Sequence, residues 1–244
     1  MAQIGHGYGS EFQLLRFLGH HRNLLECEIC KQASLSGTFH WLDFDFASNT
    51  ASISGDAENK GLSFLKKIDF VTNESYNRVI EEYKSYSIGN SANWQNWDAI
   101  FYLDKTIYLV EAKAHVKEIS GNKQNGGESV EKIMDFMKNQ LPDFSVSEVW
   151  MKEYYQFANR LATTALLNNC GIKAKTLYIY FVNGYDRRFL DGRSIQSIEN
   201  KDASVDDFKH AIEIEMKTLG ISHDQIENYM TKPVFIDANP LKIK

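Results

Sequence analysis

An α/β fold, with a mixed β-sheet flanked by helices, is what the amino-acid sequence predicts, on three observations. Ile100 to Leu103 and Thr106 to Val110 are two runs rich in β-branched and aromatic residues with only Asp104-Lys105 between them, the pattern of a tight β-hairpin. Lys175 to Val182 is a near-continuous apolar run, as expected of a strand buried on both faces inside a sheet. Helical spacing of apolar residues lies between these two, so strand, helix and strand follow in sequence and a right-handed crossover is expected.

The elements can be taken in order. Ser10-Glu11-Phe12-Gln13 fits a capping box, which predicts a helix from about Glu11 through Leu18. Leu14, Leu15 and Leu18 stand three, four and seven residues from Glu11, placing that glutamate on the apolar stripe, where a carboxylate needs a partner. An acid that merely suits the first turn of the helix is the other reading. His20, His21 and Arg22 add positive character, either a phosphate contact or a solvated cluster.

His40 to Phe46 alternates as a strand with Asp43 and Asp45 on one face, a rival pair of metal ligands or an exposed polar face. Residues 47 to 62 read as loop, and Glu74 to Ser87 as an amphipathic helix whose aromatic residues pack the core. After the hairpin, His115 and Glu118 continue a charged face, and the loop 121–127 is a plausible flap that lacks the G-K-[ST] of a phosphate-binding loop. A helix is expected over 128–141 and a longer one over 147–169, with Trp150, Tyr154, Phe157, Leu161 and Ala165 as its apolar stripe. Glu153, Gln156, Arg160 and Thr163 form its polar stripe, which puts Gln156 and Arg160 one turn apart, able to meet one phosphate or simply to face solvent. Asp186, Arg187 and Arg188 follow the buried strand, and a helix over 206–219 and a strand over 234–236 close the chain.

Composition bounds the function. A hydrophobic share of 43% in 244 residues supports a sizeable core, and three prolines with no Ser/Gly-rich run leave no obvious linker, so one domain over 1–244 is expected. The formal charge of −5 provides no global basic field, so any nucleic-acid contact must be local or helped by a metal ion. Cys27, Cys30 and Cys170 are an odd set, which argues for reduced thiols; Cys27-x-x-Cys30 lacks the second pair a structural zinc site needs. No signal-peptide pattern opens the sequence and no apolar window is long enough for a membrane span, so a cytoplasmic protein without membrane contact is expected. Neither a G-x-S-x-G elbow nor an H-E-x-x-H helix is present.

The chemistry concentrates on the hairpin. Alternation places Ile107, Leu109, Glu111 and Lys113 on one face, and closing the hairpin brings Asp98 beside Glu111. Two adjacent carboxylates ionise together only with a cation between them, and magnesium takes oxygen ligands while keeping waters that can act as nucleophiles. Lys113 would hold or deprotonate such a water, or offset charge on a phosphate. Pairing of Glu111 with Lys113 across a solvated strand end is the competing reading.

Asp98 followed by Glu111-Ala112-Lys113 at the end of a hairpin resembles the signature of the PD-(D/E)XK nuclease superfamily, with Trp97 standing where that signature has proline. The resemblance implies a restriction-endonuclease-like core. It implies magnesium or manganese held by Asp98, Glu111 and the Ala112 carbonyl, with Glu11 completing the metal site. Lys113 would act near the attacking water, and Gln156 would support from the helix after the catalytic strand. The expectation is therefore a divalent-metal-dependent nuclease hydrolysing phosphodiester bonds in DNA, with Asp98, Glu111, Lys113 and Gln156 in the catalytic set; a homodimer is compatible with it. A catalytically inactive module of the same fold, binding nucleic acid or a protein partner, is the alternative.

Overall fold

The computed structural model describes residues 9–42, 59–84, 96–120, 128–183 and 203–238. Leu14, Phe17 and Leu18 form the buried stripe of α1 (Ser10–His20). The helix begins from Gly9, whose φ of 92° suits glycine, and no side chain caps it. The expected capping box at Ser10 and Gln13 does not form; the Ser10 hydroxyl bonds the Glu118 carboxyl instead. A second helix, α2 (Arg22–Ala33), follows at once and buries Leu25, Ile29 and Ala33, one residue per turn. Both pack on the same face of the sheet.

The strand expected from His40 is seen as β1 (His40–Trp41), prolonged by Leu42 N–H donating to the Ile100 carbonyl at 2.8 Å. Asp43 and Asp45 lie outside the described residues, as do most of the expected loop, the 121–127 flap and the Asp186-Arg187-Arg188 segment. The loop reading fails at its end, where β2 (Asn59–Lys60) pairs antiparallel with β3 (Asn96–Trp97). Between them, α3 (Asn73–Lys84) is anchored by Val79.

The hairpin is built from β4 (Ala99–Leu103) and β5 (Thr106–Lys113). Asp104 and Lys105 take φ of 41° and 63°, the primed two-residue turn that matches the twist of its strands. The pairing Ala99 with Val110 puts Asp98 level with Glu111, as the alternation requires.

Next come α4 (Glu128–Gln140), α5 (Glu148–Lys152) and α6 (Tyr155–Asn169). The single helix expected over 147–169 is broken at Glu153-Tyr154, where Tyr154 leaves helical geometry. Different partners hold the halves: the Trp150 indole N–H donates to the Leu219 carbonyl at 3.2 Å, whereas Leu161 and Ala165 pack in the core alongside Ile107 and Leu109 of the sheet. Then β6 (Ala174–Val182) runs parallel to β5, buried on both faces, and α7 (Val205–Leu219), α8 (His223–Ile226) and β7 (Val234–Asp237) complete the chain.

The main sheet has the order β1-β4-β5-β6-β7, antiparallel up to β5 and parallel beyond it. Helices α1 and α2 cover Phe101, Val110, Ala112 and Ile179 on one face. Helices α3 to α7 cover Ile107, Leu109, Tyr178 and Tyr180 on the other. At the β7 margin, the Gln32 side chain of α2 donates to the Phe235 carbonyl and accepts from the Phe235 N–H, each at 2.9 Å. No described helix is long and apolar enough to cross a membrane.

Candidate functional site

Strand alternation turns Glu111 and Lys113 toward α6, and the helix answers with two polar residues one turn apart. Glu111 Oε1 accepts from Lys113 Nζ at 2.6 Å and from Gln156 Nε2 at 2.7 Å, and its Oε2 accepts from Arg160 Nε at 2.8 Å. Lys113 Nζ also donates to Gln156 Oε1 at 2.7 Å, so the amide is held by acid and amine at once. Asp98 sits in the bend between β3 and β4, still partly open to solvent, and its Oδ2 accepts from the Ala112 N–H at 2.6 Å. Since the amide and carbonyl of one strand residue point to the same side, the Ala112 carbonyl faces the Asp98 side too.

Asp98, Glu111, Lys113 and Gln156 are thus brought together. Glu111 is only 2% exposed, so its pairing with Lys113 is an interior one rather than the solvated strand end. Glu11 is buried as well, on α1, whose apolar stripe packs on the opposite face of the sheet, and Ser10 of the same first turn bonds Glu118. Glu118 Oε2 accepts from the Ala114 N–H at 3.4 Å, and His115 Nδ1 accepts from the Lys117 N–H at 3.0 Å, capping the short turn over 116–118. The Arg160 guanidinium is turned inward rather than to solvent, on Glu111 and on the Asn96 carbonyl at 2.7 Å. Cys27 and Cys30 are free thiols, one exposed and one half-buried.

The acids feel opposite fields. Burial raises the Asp98 carboxyl well above its ordinary range and neighbouring Glu111 adds to it, against Lys113 and Arg160. Burial works the same way on Glu111, yet Arg160 and Lys113 outweigh it and hold that carboxyl below its usual range. Burial alone would lower Lys113, but Glu111, Asp98 and Glu118 raise it, so the amine stays protonated at neutral pH. Burial also lifts Glu118 and pushes Glu215 up to about 8, in both cases against Lys113.

Glu215 is the participant that motif reading passes over. It projects from α7 into the same interior as Tyr178 and Tyr180, whose strand positions are level with Glu111 and Lys113. Phe208, Ala211, Ile212, Glu215 and Leu219 share one helical stripe, so an acid at an apolar position was the available signal.

Four carboxyls, Asp98, Glu111, Glu118 and Glu215, therefore gather around two cations, Lys113 and Arg160. Three of the four are pushed upward, chiefly by burial, with Glu111 adding to the shift of Asp98 and Glu118. The oxygen donors of Asp98, Glu111 and the Ala112 carbonyl are of the kind a hard divalent cation takes. Among the described residues no group of three or more His, Cys, Asp or Glu side chains is arranged to hold a metal ion. Magnesium commonly binds through only one or two carboxylates and keeps its waters, so a two-acid site suits it. Comparison of the chain with protein-family models, with curated proteins and with solved structures finds no match.

Proposed function

We propose that the protein is a divalent-metal-dependent nuclease with a restriction-endonuclease-like core of the PD-(D/E)XK kind, acting on phosphodiester bonds in DNA. One observation carries the reading: Asp98, Glu111, Lys113 and Gln156 meet at one end of a hairpin, with Lys113 bonded to both Glu111 and Gln156. Asp98, Glu111 and the Ala112 carbonyl would hold magnesium or manganese. Such an ion lowers the pKa of its bound water and neutralises charge on a phosphate.

The chain's own residues divide the remaining work. Lys113, kept protonated by the surrounding acids, acts as a donor and a positive charge toward the phosphate rather than as a base. Gln156 holds the ammonium through its carbonyl oxygen and Glu111 through its amide nitrogen, which fixes the distance between them. With a net charge of −5, attraction for DNA must come from this local charge and the ion.

Incubation of DNA and RNA with the wild-type protein and with Lys113→Ala, in magnesium, manganese or a chelator, tests the proposal. Wild-type cleavage that the chelator stops, and that falls roughly 100- to 10,000-fold in Lys113→Ala, is expected; equal cleavage by both proteins defeats it. A second reading, a non-catalytic binding module, draws on the fact that three side-chain donors already satisfy Glu111. Calorimetric titration with manganese separates the two. A site present in the wild type and absent from Glu111→Gln supports the nuclease, and DNA binding with no metal site supports the module.

A further inference from the structure

We propose that Arg160 is a positioning residue that sets the placement of the Glu111 carboxylate relative to Asp98; this rests on the nuclease reading. Its guanidinium bonds in two directions at once. The Nε–H donates to Glu111 Oε2 at 2.8 Å, and Nη2 donates to the Asn96 carbonyl at 2.7 Å. Asn96 lies two residues before Asp98, and the intervening Trp97 lays its ring 4.7 Å beneath the guanidinium carbon. One planar group thus spans the strand that carries Glu111 and the strand that leads into Asp98.

The need for such a tie follows from the backbone. The chain bends at Asp98, where β3 leaves the main sheet to pair with β2. The Asp98 N–H donating to the Val110 carbonyl and the Ala112 N–H donating to Asp98 hold that acid to β5, but neither bond fixes the side chain of Glu111. Helix α6 does this twice, with Gln156 on one oxygen and Arg160, a turn later, on the other. The helix is itself pinned to β6 by the Thr164 and Thr176 hydroxyls, 2.7 Å apart.

Arg160 is nearly as buried as Lys113, and its guanidinium bonds the protein's own Glu111 and Asn96. Geometry as well as charge is required. A lysine at this position carries the same charge but lacks the rigid fork that serves two acceptors and stacks on a ring.

Calorimetric titration of manganese into the full-length protein, Arg160→Lys and Arg160→Gln tests the proposal, with kcat followed alongside. Arg160→Lys is expected to weaken manganese binding about 10- to 100-fold, as loss of an outer-shell partner does, and to lower kcat. Unchanged binding in Arg160→Lys, with tighter binding in Arg160→Gln, shows a mere counter-charge and overturns the proposal alone. A wild-type protein that binds no manganese overturns it together with the nuclease reading.

Should Arg160→Lys fail to fold, nitrogen-15 spectra of the wild-type arginine Nε–H groups decide. The tie requires an Nε–H protected from exchange whose resonance moves as magnesium is added. A spectrum without one overturns it.

Discussion

Glu215 shows what burial does to a single side chain. Its carboxyl is 3% exposed, and desolvation lifts it from the ordinary 4.5 to about 8 despite the pull of Lys113. Between those two values the folded protein holds a proton that the unfolded chain has released. The stability of the neutral buried acid is therefore fully present below about 4.5 and is lost as pH rises toward 8. Thermal melts are expected to show a wild-type Tm that falls from pH 5 to pH 8, and Glu215→Gln, neutral throughout, should remove much of that slope. Asp98 and Glu118, also raised, leave a residual slope of the same sign. An identical slope in wild type and variant would mean that Glu215 is ionised in the fold. Glu111 behaves oppositely because two cations bond its oxygens directly.

Among the elements, the hairpin is the one whose shape local chemistry sets most directly. Its turn places Lys105 at a φ of 63°, a region where a side chain is strained by roughly 1–2 kcal/mol and glycine is not. Lys105→Gly is expected to stabilise the protein by about 1 kcal/mol, read as a rise in Tm of a few degrees; a fall would show that the lysine side chain contributes a contact of its own. Such local features explain what could be read in advance. The hairpin register, the face shared by Glu111 and Lys113, and the apolar run of β6 depend on residues close in sequence. Helical spacing puts Arg160 on a polar stripe, but a stripe says which residues share a face, not whether that face meets water or a sheet. The break at Tyr154 is set by α7 and the sheet, through Trp150 and Leu219 on one side and Leu161 on the other, and nothing local announces it. Helix α2 gives little signal in the sequence because its buried stripe is only Leu25, Ile29 and Ala33 among polar neighbours. The first helix begins within one residue of its expected start, but its capping box is absent, because Ser10 spends its hydroxyl on Glu118 across the fold.

For the molecule as a whole, the proposed metal site would tie stability to divalent ions. A ligand that binds only the folded state adds about 2.7 kcal/mol when present at a hundredfold its Kd. Magnesium or manganese should accordingly raise Tm, and more at pH 8 than at pH 5, where protons occupy the carboxyls lifted by burial. A Tm indifferent to both ions at pH 8 would contradict an ion-binding centre here. At the β7 margin, two strands from Lys113, the amide of Gln32 occupies both hydrogen-bonding groups of Phe235 in the way a further strand would. A crowded neighbour seeking to zip its own backbone onto that flank finds the Phe235 peptide unit already spoken for, so growth into stacked fibres has no foothold at this point.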